Sequence, residues 1–107
     1  MEITPRDAAA LLDGARGRAL LLDCRTPEEH ATARIEGAVL IPMQELEQRL
    51  GEIEGRQDDP LVVHCHHGVR SLRVTAFLRQ CGFEHAVSMS GGIDQWSLDV
   101  DPRVPRY

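Results

Sequence analysis

LVVHCHHGVRSLRVTAFLRQCG, residues 61–82, is the stretch from which the rest of this chain can be read. It opens with an apolar run too short for a buried helix, breaks at Cys65, and resumes after Gly68 with helical spacing. A strand, a tight loop and a helix are therefore expected in succession. Val74, Phe77, Leu78 and Cys81 fall at i, i+3, i+4 and i+7, the spacing of one helix face, and Gly82 is a natural stop. Cys65 is thus expected in a loop that closes onto a helix N-terminus. Unpaired backbone N–H groups converge there, and the dipole presents its positive end to an anion.

A thiol in such a place is easier to ionise. A helix N-terminus and neighbouring cations lower a cysteine pKa from about 8.5 to roughly 3.5–7.5. The neighbours here are His66, His67 and Arg70. Arg70 carries a permanent charge, whereas the histidines are charged or neutral according to their surroundings. Two readings of Cys65 follow: a thiolate nucleophile, or a buried structural cysteine of the kind common in cores. Its polar, cationic and glycine-containing neighbours favour the nucleophile. His66 and His67 stand open between a functional role and a merely solvated loop.

The segment resembles the active-site loop of the rhodanese-like sulfurtransferases, in its run from nucleophile to arginine, Cys65-His66-His67-Gly68-Val69-Arg70-Ser71. DCRTPEEHATARIEGAVLIP, residues 23–42, is similar to the N-terminal signature of that family. SGGIDQW, residues 90–96, is similar to its C-terminal signature. Three stretches in the family's order span nearly the whole chain. There are departures: Ala33-Arg34 replaces the usual Gly-His before Ile35, Cys24 stands where an aliphatic residue is usual, and the loop is rich in imidazole.

The remaining composition narrows the field. A chain of 107 residues is expected to form one domain, residues 1–107, burying roughly two-thirds of its unfolded surface. Hydrophobic residues make up 42% and charged residues 27%, which indicates neither disorder nor a membrane protein. The N-terminus MEITPRDAAALL lacks the positive charge and long apolar core of a signal peptide, so a soluble, unexported, cytoplasmic protein is expected. A net charge of −5, with every basic residue an arginine, argues against nucleic-acid binding. Three cysteines without a C-x-x-C pair suggest a reducing compartment, no disulfide framework and no structural zinc.

Read in order, Ile3 is expected in a short edge strand, and Thr4-Pro5-Arg6-Asp7 carries helix-start signals. Ala8, Leu11, Leu12 and Ala15 would form that helix's apolar stripe. ALLLD, residues 19–23, reads as a strand buried on both faces. Thr26-Pro27-Glu28-Glu29 should start a short helix. Asp23 and Arg25 are read as a local ion pair fixing loops rather than as catalytic charges. Cys24 is read as a packing residue, with a resolving thiol the rarer alternative. Residues 38–41 form the next expected strand, ended by Pro42. Met43, Leu46, Leu50 and Ile53 would line a helix closed by Gly55. Residues 85–89 give a last strand, followed by Ser90-Gly91-Gly92 and a helix holding Ile93 and Trp96. An extended tail at about residues 98–107 would lie on the domain, and it resembles the ends of rhodanese-like modules found with sulfur-carrier activation enzymes.

Alternating strands and helices predict an α/β fold, a central parallel sheet flanked by helices on both faces. The loops at Cys24-Arg25, Pro42, Cys65 and Ser90-Gly91-Gly92 would then open on one side. The resemblance implies a sulfurtransferase in which Cys65 carries sulfur as a persulfide, with His66, His67, Gly68, Val69 and Arg70 binding the substrate. It implies thiosulfate or a persulfide as donor, and a thiol, cyanide or a sulfur-carrier protein as acceptor, without cofactor or metal. The rivals are a non-catalytic interaction module and a cysteine phosphatase or arsenate reductase. The phosphatase cradle needs five residues between cysteine and arginine, whereas four lie between Cys65 and Arg70.

Overall fold

The computed structural model describes residues 1–15 and 17–107. Five strands run parallel: β1 (Glu2–Ile3), β2 (Leu20–Asp23), β3 (Val39–Leu40), β4 (Leu61–His64) and β5 (Ala86–Met89), in the order β1-β5-β4-β2-β3. The helices are α1 (Pro5–Gly14), α2 (Pro27–Thr32), α3 (Leu46–Arg49), α4 (Val69–Gln80) and α5 (Gly92–Asp99). The chain has the α/β architecture expected from its alternation. Among the described residues, no helix is long and apolar enough to cross a membrane.

The strand period of two divides the core. Leu20, Leu22, Leu61 and Val63 point to one face, where Leu46, Ile53, Val74 and Leu78 cover them. Leu21 and Val62 point to the other, where Ala8, Ile93 and Trp96 pack. All four residues of β4 and all four of β2 are buried, which is why both read as unbroken apolar runs. Each fully buried Leu or Val contributes about 1.5–3 kcal/mol relative to exposure.

The helix starts follow their sequence signals. Thr4 accepts from the Asp7 amide at 3.2 Å with Pro5 in the first turn, and Thr26 with Glu29 forms a complete capping box. Two expectations are corrected. Residues 43–52 do not form one α-helix: a single turn, α3, is flanked by 3-10 turns at Met43–Glu45 and Leu50–Glu52. Leu46 and Ile53 still reach the core, so the apolar pattern served burial without a continuous helix. The buried face of α4 is Ser71, Val74, Thr75 and Leu78, while Cys81 lies past the helix end and is exposed. The stripe is displaced toward the N-terminus because that end of α4 is drawn in beneath Cys65.

Candidate active site

Cys65 follows β4 directly, and the chain turns through His66, His67 and Gly68 before α4 begins at Val69. The turn needs a left-handed residue at its end, and Gly68 supplies it with φ 104°. This turns the amides inward. The Gly68 N–H donates to Cys65 Sγ at 3.1 Å and the Ser71 N–H at 3.3 Å. The Ser71 hydroxyl lies 3.4 Å from the same sulfur and 2.7 Å from the Ser88 hydroxyl on β5.

The opposite side of the loop is tied down by α5. Ile93 N–H donates to the Cys65 carbonyl at 2.9 Å and Asp94 N–H to the His66 carbonyl at 3.2 Å. Gly92, at φ 61°, lies where a Cβ would overlap the backbone carbonyls of both residues. With the Cys65 and His66 carbonyls claimed by one helix N-terminus, the Gly68 and Ser71 N–H groups face the sulfur.

Cys65 is itself buried, 1% exposed and part of the core, which the polar character of its neighbours did not predict. Burial alone would make it a structural thiol. Hydrogen bonding reverses that: the Cys24 side chain, Ser71 and the Gly68 amide together outweigh burial and hold the Cys65 thiol down at about 4. Cys24, also 1% exposed, is pushed well above the usual thiol range by its hydrogen bond with Cys65 and then by burial.

Beside the loop runs a network of formal charges. Arg25 is fully buried, with Nε 2.9 Å and Nη2 2.8 Å from the two Asp23 carboxylate oxygens. It also donates to the Ala33 carbonyl at 2.6 Å and the Tyr107 hydroxyl at 2.8 Å. His30 Nδ1 approaches Asp23 to 2.8 Å. The ion pair read from the Asp23-Cys24-Arg25 turn is therefore present. Burial would raise the Asp23 carboxyl, and Arg25 overrides it.

The predicted site residues are brought to one end of the sheet, but not to one task. Gly68 faces the sulfur through its amide. Val69 is exposed at 65% and opens α4. Arg70 makes a two-pronged ion pair with Glu29, at 2.7 and 2.9 Å. The pairing drives the Glu29 carboxyl far below its usual value, against the effect of burial. His66 stacks on Tyr107, with centroids 4.0 Å apart, and on His67 at 3.9 Å. His67 is exposed and 3.9 Å from Asp94. His66, His67 and Asp94 offer ligand atoms within 4.8 Å of one another, yet Asp94 is already held by Arg106 at 2.8 and 3.3 Å.

Ser71, Glu29 and Tyr107 were missed by sequence reasoning. Ser71 left a faint signal as a hydroxyl on the buried side of α4, beside Thr75. Tyr107 left none: it reaches back to donate to Glu29 Oε2 at 2.7 Å, from the far end of the chain.

This arrangement sets a buried thiol under two backbone amides at the mouth of a parallel sheet. The sequence profile of the rhodanese-like domain matches residues 4–99, and the chain belongs to that family. It is 37% identical over 105 residues to the probable adenylyltransferase/sulfurtransferase MoeZ of Mycobacterium tuberculosis, covering 98% of this chain and 26% of that protein. The chain thus spans only about a quarter of that relative's length. It is 33% identical over 108 residues to the thiosulfate sulfurtransferase GlpE of Actinobacillus succinogenes, covering 99% and 92% of the two chains. Among solved structures, the human single-domain sulfurtransferase TSTD1 superposes with a TM-score of 0.78 at 32% identity, covering 92% of this chain and 96% of that one. Sulfur transfer is supported at the level of the family.

Proposed function

We propose that this chain is a sulfurtransferase that carries a sulfane sulfur as a persulfide on Cys65. The observation that carries the reading is the pair of amides, Gly68 and Ser71, aimed at a thiolate that burial would otherwise neutralise. The Cys65 thiolate attacks the outer sulfur of thiosulfate, the S–S bond breaks, and sulfite leaves with the electron pair. The new terminal sulfur is an anion in the same cradle, held by the same amides. A nucleophilic acceptor such as a thiol, cyanide or a sulfur-carrier protein then takes it, and the thiolate returns. The exchange needs neither metal nor redox cofactor.

Arg70 enters this reading differently from expectation. Its charge is matched by Glu29, so the amides and the α4 dipole carry most of the attraction for the donor. A cytoplasmic setting suits a thiol that must stay reduced. The four-residue spacing from Cys65 to Arg70, and the neutralisation of that arginine, weigh against a phosphatase.

Intact mass spectrometry of the reduced protein before and after thiosulfate tests the proposal. Wild type should gain one sulfur as sulfite is released from the donor, and a thiol should remove it, while Cys65→Ser should gain none. Uptake by the serine variant would transfer the role to another cysteine. Hydrolysis of an aryl phosphate without sulfur uptake would replace the reading with its phosphatase rival.

A further inference from the structure

Cys24 supports the Cys65 thiolate by its hydrogen bond, but sulfur transfer alone leaves its own sulfur without a covalent part. It follows β2 as Cys65 follows β4, and the last registered pair of these neighbouring strands is Asp23 with His64. The ladder continues one residue further, because the Cys24 amide donates to the His64 carbonyl at 3.1 Å. Cys24 and Cys65 are thus successive neighbours across parallel strands, a spacing of about 4.8 Å. That falls inside the range of about 4.4–6.8 Å between Cα atoms that a disulfide requires. Both side chains point into the same core cluster, and Cys24 Sγ lies 3.4 Å from the His64 carbonyl, at the foot of Cys65.

We propose that Cys24 is a resolving thiol: when no acceptor reaches the Cys65 persulfide, Cys24 attacks its inner sulfur and releases sulfide. The inference rests on the persulfide reading above. The Cys24 sulfur forms a bond to Cys65 Sγ while the bond from Sγ to the outer sulfur breaks, and the outer sulfur leaves with the electron pair. The proton of the Cys24 thiol ends on that leaving sulfur. Two thiols are oxidised to a disulfide, and the sulfane sulfur is reduced to hydrosulfide. A dithiol reductant then restores both cysteines, so that thiosulfate and a dithiol are converted to sulfite, sulfide and a cyclic disulfide.

The geometry suits the direction of attack. Cys24 approaches from β2, whereas the Gly68 and Ser71 amides that stabilise a departing anion lie on the α4 side of the sulfur. The domain then has two outlets, sulfur to an acceptor or sulfide to solvent.

The test uses the full chain with the exposed Cys81 replaced by serine, beside the same chain carrying Cys24→Ser or Cys24→Val. Reduced, reductant-free protein is given thiosulfate, or an inorganic polysulfide, without air. It is quenched in denaturant with a maleimide for intact mass, and free sulfide is assayed in the thiosulfate arm alone, since polysulfide itself supplies sulfide. With Cys24 present, the expected product is a chain lacking two hydrogens, unreactive to maleimide, with about one sulfide released per chain. Cys24→Ser, which keeps a hydrogen-bond donor beside Cys65, should instead retain one added sulfur and release at least about tenfold less sulfide; Cys24→Val, which removes that donor, should take up sulfur more slowly but also retain it. Retention of the sulfur in all three proteins, with Cys24 still alkylated, would overturn the resolving role and leave the transfer reading intact. Failure of all three to take up sulfur from either donor would remove both.

Discussion

The molecule neutralises charge in two ways, side by side. In the Cys65 loop an anion is held by uncharged dipoles, the Gly68 and Ser71 amides. A few residues away, Asp23, Arg25, Glu29 and Arg70 hold one another by formal charge, with Tyr107 between them. The difference separates duties. Paired ions lock geometry but have little attraction left for a newcomer, whereas amides retain their dipoles whichever anion occupies the cradle. Arg70, a cation that sequence reasoning assigned to substrate, has its charge paired with Glu29.

The largest break in this comparison is Arg25→Ala. It strands the buried Asp23 carboxylate and should cost about 3–5 kcal/mol of stability, read from urea unfolding. A loss below about 1 kcal/mol would mean that water or His30 replaces the pairing. Gly92→Ala strikes the other region, pressing a methyl into the Cys65 and His66 carbonyls at a backbone angle that disfavours any side chain. Displacing the amides should slow sulfur uptake by about 100–1,000-fold, the scale of losing an anion-hole donor. A normal rate would show that the loop tolerates the shift.

Glu29→Gln sharpens the division by leaving Arg70 uncompensated. If Arg70 is silent toward donors only because Glu29 claims it, KM for thiosulfate should fall about 2–5-fold, and the gain should vanish with Arg70→Gln. Acid provides the mildest probe. Alkylation of Cys65 should stay flat on lowering the pH from neutrality and fall only near its pKa of about 4. Stability should weaken earlier. Burial depresses His64 from 6.5 to about 4, so the unfolded chain binds the extra proton between those values and folding loses free energy as pH falls. Glu29, also depressed, adds to that loss once pH drops through the ordinary carboxylate range.

Much of this was legible in the residues because its causes are local. The caps at Thr4 and Thr26, the runs that became β2 and β4, and the left-handed turn at Gly68 each follow from a few neighbouring side chains. The loop around Cys65 belonged to the same class. What escaped was partner choice at long range. Nothing near Arg70 shows that Glu29, 41 positions away, will take its charge, and nothing near Tyr107 shows that it will lie on His66. The single helix expected from Met43 through Ile53, closed by Gly55, failed for another reason: apolar spacing fixes which side chains are buried, and 3-10 turns can satisfy the same demand. Polar neighbours weighed against a buried structural Cys65, whereas Gly68 and Ser71 bring backbone amides, and Ser71 its hydroxyl, to a sulfur that is buried.

The outermost strands have a colloidal consequence. Glu2–Ile3 and Val39–Leu40 are two residues each, so both rims of the sheet end in stubs. A rim that short is a poor template for a strand from another molecule. With a net charge of −5 adding repulsion between copies, the protein should resist edge-to-edge aggregation even in concentrated solution.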